Sequence, residues 1–98
     1  MQSKWLYGFG LVRHLIEQLD LSPNMKVLDL GCGFGKTVRY IARKFGCNIT
    51  ATDISKKVVE KAEERASKGR WGFRVNFKVL DRQNLIFDGE MFDTIIVE

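Results

Sequence analysis

The sequence predicts an α/β fold, a three-layer sandwich in which helices cover both faces of a parallel sheet. Three observations carry this. Residues Val27 to Thr37 read Val-Leu-Asp-Leu-Gly-Cys-Gly-Phe-Gly-Lys-Thr, an apolar strand running into glycines at every second position and then into a helix. Segments with helical apolar spacing alternate with short apolar runs along the chain. Those runs carry few polar positions, as strands buried on two faces must. With 98 residues, 45% of them hydrophobic, a single domain with a modest core is expected.

Taken in order, the chain opens on Trp5, Tyr7 and Phe9, followed by Val12, Leu15, Ile16 and Leu19 at i, i+3, i+4, i+7, which is one face of a helix. That helix must end before Ser22-Pro23-Asn24, since proline cannot continue it. Met25 to Leu30 form the first strand. Thr37 to Phe45 form a helix with Val38, Ile41, Ala42 and Phe45 inward, stopped by Gly46. Asn48 to Thr52 make a second strand. Ser55 caps the next helix, which turns Val58, Val59, Ala62 and Ala66 inward and runs out near Lys68-Gly69. Arg74 to Leu80 alternate as a third strand, and Phe92 to Val97 give a fourth after the turn at Asp88-Gly89. The connection from Asp81 to Met91 is short for a crossover and is expected to hold only a brief helical turn.

No apolar run reaches membrane-spanning length, and no leader pattern opens the chain. Cys32 and Cys47 lie fifteen positions apart without Cys-x-x-Cys spacing, which argues against a metal site or a disulfide and for a reducing, cytoplasmic setting. His14, the only histidine, lies on the polar side of its helix, where a solvent-facing role outranks a general base. The net charge is +4, with many basic residues between Arg39 and Arg82. A solvated face on charged helices accounts for them, with Lys56 and Glu60, then Glu64 and Lys68, at pairing distance along a helix. Basic and aromatic residues do not interleave as single-stranded nucleic-acid binders require, so the sequence gives a nucleic-acid partner no support.

The glycine segment has three nucleotide-binding readings. The dinucleotide fingerprint needs a third glycine where Lys36 stands. A phosphate loop ending in Gly35-Lys36-Thr37 needs a glycine where Leu30 stands. The third reading is an acid, one spacer and Gly-x-Gly-x-Gly, which Asp29-Leu30-Gly31-Cys32-Gly33-Phe34-Gly35 satisfies throughout. Glycines strip side chains from the turn, so a flat ligand lies against bare backbone. In an open sheet of this kind the ligand sits outside the carboxyl ends of the strands. The second strand ends there in Asp53, twenty residues after Gly33, where a carboxylate accepts both hydroxyls of a ribose. An isolated acid after a strand is otherwise a turn or cap residue. The third strand ends in Leu80-Asp81-Arg82-Gln83 and the fourth in Phe92-Asp93-Thr94-Ile95-Ile96-Val97-Glu98.

Together, these motifs resemble the class I S-adenosylmethionine-dependent methyltransferases over about seventy residues, Val27 to Glu98. The resemblance implies strand order 3-2-1-4 for the four strands, with S-adenosylmethionine across the first two. It implies that Asp29, Gly31, Cys32, Gly33 and Gly35 form the loop under the cofactor, with Cys32 as a small side chain beside it. Asp53, followed by Ile54, takes the ribose end. Asp81 meets the adenine amino group, with Arg82 or Gln83 supplying a backbone amide; a plain turn-initiating Asp81 is the other reading. Asp93 has a structural place at the far end of its strand, and Glu98 lies near the methionine part.

Residues 1–98 are thereby expected as one cofactor-binding half-domain, with a helical cap over about residues 1–22 that carries the aromatic cluster. Family members continue past the fourth strand to a seven-stranded sheet. The sheet here is therefore expected to be incomplete: a fragment of a longer enzyme, or a short chain that associates through the open edge of its fourth strand. The implied reaction is transfer of the sulfonium methyl to an unidentified acceptor. Such transfer needs alignment more than acid–base chemistry, so no catalytic residue and no metal are assigned. A binding or assembly module that keeps the half-sheet without chemistry is the reading from another class. A nucleotide-dependent oxidoreductase or NTPase stands third, disfavoured by Lys36 and Leu30.

Overall fold

A computed structural model describes residues 4–7, 13–80 and 92–98. In chain order these form β1 (Lys4–Tyr7), α1 (Arg13–Glu17), β2 (Lys26–Leu30), α2 (Lys36–Phe45), β3 (Asn48–Asp53), α3 (Lys56–Ser67), a 3-10 turn (Gly72–Arg74), β4 (Val75–Val79) and β5 (Thr94–Val97). The sheet order is β1-β5-β2-β3-β4, and every pair is parallel. The four strands read from the sequence are β2, β3, β4 and β5, and they stand in the expected order 3-2-1-4.

The pleat divides the core. Val27 of β2, Ile49 and Ala51 of β3 and Ile96 of β5 pack on one face with Ile16 of α1 and Val38, Ile41 and Ala42 of α2. Leu28, Leu30 and Ile95 are buried on the other face with Phe92. Because β2, β3 and β4 step in one direction, right-handed crossovers place α2 and α3 on the same side of the sheet. The chain then reverses, so β5 lies on the other flank of β2. This makes β2 the switch point, and its carboxyl end opens the crevice where open sheets bind ligands.

Local chemistry explains the boundaries. Gly46 ends α2 at φ 69°, its N–H returning to the Ala42 carbonyl. The Ser55 hydroxyl accepts the Val58 N–H at the start of α3. Asp20 turns the chain out of α1 at φ 51°, a conformation its short side chain tolerates, ahead of Pro23. Lys44 of α2 donates to Glu17 of α1, holding these two helices together at the surface, and this bond raises the lysine's pKa. The pairs Lys56–Glu60 and Lys68–Glu64 form along α3 as expected.

Three expectations need correction. Residues Lys4–Tyr7, inside the segment expected as a helical cap, form a strand instead. Trp5, Leu6 and Tyr7 favour strands, and β5 offers a row of backbone groups that requires a partner. The edge of β5 from which self-association was expected is therefore paired within the chain, Leu6 opposite Ile96 and Tyr7 opposite Val97. In α1, Ile16 is buried as expected, but Leu15 turns out toward solvent. The expected positions at Val12, Phe9 and Asp81 to Met91 lie outside the described residues, as does the side chain of His14.

Ile96 is 0% exposed and sits on the strand flanked by both β1 and β2. Ile96→Ala is expected to cost about 2–5 kcal/mol through lost contacts and a residual cavity. Denaturant titration checks this; a change within the noise of a surface substitution would place Ile96 outside the core.

Candidate functional site

The loop after β2 is held by the end of β3. The N–H groups of Gly31 and Cys32 both donate to the Thr52 carbonyl, at 2.9 and 2.8 Å. The N–H of Gly33 donates to Asp53 Oδ2 at 3.0 Å, and Asp53 Oδ1 accepts the Ser55 N–H at 3.1 Å. One carboxylate thus ties the glycine turn to the start of α3. The Gly35 N–H closes the turn on the Cys32 carbonyl at 3.0 Å, and α2 begins at once.

The glycines of this loop do different jobs. At Gly33 the backbone has φ 55°, and a Cβ built there would meet nothing within 4 Å. This position opens onto free space beside the Asp53 carboxylate. At Gly35 φ is 88°, and a Cβ would lie 3.7 Å from Ala62 of α3, so that glycine serves the turn and the helix packing. Of these two glycines, Gly33 is the one with open space beside it.

A second tie joins β5 to the same crevice. The Glu98 N–H donates to the Leu30 carbonyl at 2.9 Å, and the Thr37 hydroxyl of α2 donates to Glu98 Oε1 at 2.6 Å. Asp29 is wholly buried on β2, its carbonyl accepting the Thr52 hydroxyl at 3.0 Å. Asp29, Gly31, Cys32, Gly33, Gly35, Asp53 and Glu98 thus gather at the carboxyl ends of β2, β3 and β5. Ile54 follows Asp53 with 70% of its surface exposed. Leu80 is drawn in by its N–H to the Asp53 carbonyl, but Asp81 and Arg82 lie outside the described residues. Asp93 is at the opposite end of β5, where Oδ2 accepts the Lys26 N–H at 2.8 Å, the structural place expected for it. Thr37 and Thr52 were not singled out in the sequence. Thr37 stands two positions after Gly35 and Thr52 one before Asp53, yet nothing in the spacing says that one reaches across to β5 and the other back to β2.

The electrostatics of the crevice register in Cys32, which is 4% exposed with its thiol toward the Gly33 carbonyl. Burial, reinforced by the carboxylates of Asp29, Asp53 and Glu98, pushes this thiol from 9.0 up to about 12. Three acids from three strands therefore bear on one point of a chain whose net charge is +4. The arrangement suits a ligand with hydroxyls to donate and a positive charge to place. It also makes Cys32 a poor nucleophile, since the thiolate is the reactive form. The folded chain holds this proton to a higher pH than the unfolded chain does. The thiol's contribution to stability is therefore intact below pH 9.0 and is lost as pH rises toward about 12. Cys32→Ala is expected to flatten that part of the decline, which runs at up to about 1.4 kcal/mol per pH unit. Unfolding titrations across this window check it; identical slopes for both proteins would count against the buried thiol.

Residues 27–98 match a family described as a methyltransferase domain. Over 88 residues the chain is 35% identical to methyltransferase GfsG of Streptomyces halstedii, covering 90% of this chain and 32% of that protein. It is 34% identical to phosphoethanolamine N-methyltransferase 1 of Zea mays, again over 90% of this chain but 17% of that one. The chain thus spans a third or less of the length of these curated relatives. Among solved structures, coclaurine N-methyltransferase bound to N-methylheliamine and S-adenosylhomocysteine superposes with a TM-score of 0.79 at 30% identity, covering 89% of this chain and 25% of that one. The family match takes in β2, β3, β4, β5 and the whole of the glycine crevice, and on it the chain belongs to the methyltransferase-domain family.

Proposed function

We propose that this chain is the cofactor-binding part of an S-adenosylmethionine-dependent methyltransferase and that the β2–β3–β5 crevice holds the cofactor. The observation that carries the reading is the Asp53 carboxylate fixed at 3.0 Å from the Gly33 N–H, beside open space where any side chain would intrude. Each carboxylate oxygen has two lone-pair directions. Oδ1 and Oδ2 each give one to a backbone N–H and keep another for a ribose hydroxyl. Exposed Ile54 offers an apolar edge to the adenine side, with Asp81 and Arg82 as the proposed polar contacts to the ring. Asp29, Cys32 and Glu98 lie toward the charged end of the cofactor, and the Thr37 hydroxyl fixes the rotamer of Glu98. S-adenosylmethionine, when bound, supplies a sulfonium methyl group for transfer to a nucleophile. The residues described here hold and orient; the acceptor site and its catalytic groups are proposed to lie beyond them.

The N-terminal segment, with β1 on the edge of β5, is proposed to cap this half of the sheet. Self-association through that edge is linked to release of β1. No helix among the described residues is long and apolar enough to cross a membrane. Two buried free thiols, Cys32 and Cys47, suit the cytoplasm as the compartment.

Thermal unfolding tests the reading. S-adenosylhomocysteine at about a hundredfold over its Kd is expected to stabilise the chain by about 2.7 kcal/mol, a rise in Tm on the order of 10 °C. NAD and ATP at the same concentration are expected to leave Tm unchanged. A chain equally stabilised by all three, or by none, overturns the assignment.

A further inference from the structure

Beside the crevice, the outer surface of α2 and α3 carries two adjoining grooves. One, about 540 Å³, is lined by Lys36, Arg39, Arg65 and Lys68, with the rings of Phe34 and Trp71. The other, about 490 Å³, is lined by Arg39, Arg43, Arg70 and Arg74, with Trp71 and Phe73. Arg39, Gly69 and Trp71 belong to both, so the two form one continuous track. No carboxylate lines either groove. Among the described residues, Lys68 alone of these cations makes an ion pair, a loose 3.7 Å contact with Glu64 on the exposed side of α3.

The aromatic rings decide what kind of anion fits. Phe73 is 79% exposed, and Phe34 is 51% exposed. Leaving rings of this size in water is unfavourable unless a partner covers them. Each carries a guanidinium over its face, Arg74 at 4.7 Å from the Phe73 centroid and Arg65 at 5.1 Å from that of Phe34. Flat rings alternating with cations along a concave track are what a single strand of nucleic acid uses, bases stacking while phosphates meet the guanidinium groups. An acidic peptide has no use for the rings, and a bilayer presses on a convex apolar face rather than entering a groove. The sequence hides the pattern because α2 supplies Arg39 and Arg43 while Trp71, Phe73 and Arg74 arrive some thirty residues later. Only the fold interleaves them.

We propose that this α2–α3 face binds single-stranded nucleic acid. The first groove starts at Gly35, at the end of the glycine turn, but the proposal does not depend on the cofactor reading, because the cationic and aromatic side chains that carry it are not assigned to the cofactor.

The test is fluorescence anisotropy with labelled oligouridylate and oligothymidylate of about ten nucleotides. Binding is expected to weaken with salt at a slope near −3.5 for roughly five phosphate contacts. Arg39→Gln with Arg43→Gln is expected to weaken it tenfold or more, and Phe73→Ser about tenfold through lost stacking. Lys57→Gln with Lys61→Gln removes the same charge from exposed positions on α3 outside the grooves and is expected to change affinity less than threefold. Thermal unfolding of each variant shows that it is folded. Absence of binding at low salt overturns the proposal. So does equal weakening by the control pair, or equal competition by a polyglutamate peptide or by anionic phospholipid vesicles.

Discussion

Asp53→Ala is expected to reduce S-adenosylhomocysteine binding by at least about a hundredfold while the chain stays folded. Two effects combine. The carboxylate is the proposed acceptor for both ribose hydroxyls, and hydrogen bonds to a charged group contribute about 1.5–3 kcal/mol each. Even about 3 kcal/mol is more than a hundredfold in affinity. The same carboxylate accepts the Gly33 N–H at 3.0 Å and the Ser55 N–H at 3.1 Å, so its loss also unties the middle of the glycine turn from the start of α3, while the Gly31 and Cys32 bonds to the Thr52 carbonyl remain. Stability is expected to fall by about 1–3 kcal/mol, the penalty for leaving such donors unmet. Asp53→Asn separates the two effects. Its carbonyl oxygen still accepts one backbone N–H, while its amide nitrogen accepts nothing. It is expected to recover most of the stability and little of the binding. A folded Asp53→Ala chain that binds S-adenosylhomocysteine as tightly as the parent would reduce Asp53 to a loop tie.

Removing residues 1–7 is expected to convert a monomeric chain into a self-associating one. β1 pairs with β5 over four residues, from Lys4 opposite Thr94 to Tyr7 opposite Val97. Without it, β5 presents unpaired backbone groups on a strand whose side chains Thr94, Ile95 and Ile96 are all buried in the intact sheet. An apolar edge of that kind is a pairing template. Sedimentation velocity at tens of micromolar separates the outcomes, and the intact chain serves as its own control. Association of both proteins to the same degree would mean that β1 does not protect the edge. A monomeric truncated chain would mean that the edge is harmless.

How far the sequence can be read depends on where each interaction lies. Helices α2 and α3 were legible because their signals are local: glycine at 35 and 46, serine at 55, and apolar side chains at helical spacing between them. The strand order followed from the resemblance, and the glycine crevice from the spacing of Asp29, the glycines and Asp53. β1 was missed because four residues have no period of their own, and the aromatic residues around them serve a helix cap equally well. Only the vacant edge of β5, a feature of the assembled sheet, selects the strand. The Thr37–Glu98 bond spans sixty-one positions, and Thr52 reaches Asp29 across neighbouring strands. Contacts of that kind leave no trace in spacing. The basic residues of the grooves look like a solvated helix face in the sequence for the same reason, since the two halves of the track come from separate stretches of chain.

The central claim is that the crevice selects the adenosyl–amino acid skeleton shared by S-adenosylmethionine and S-adenosylhomocysteine over NAD and ATP, and calorimetric titration tests it most directly. The chain is titrated with S-adenosylhomocysteine, NAD and ATP in turn, then again as Asp53→Ala. The account predicts saturable one-to-one binding of S-adenosylhomocysteine alone, lost in the variant. Binding of NAD or ATP with equal affinity, or no heat from S-adenosylhomocysteine with the chain demonstrably folded, would contradict it.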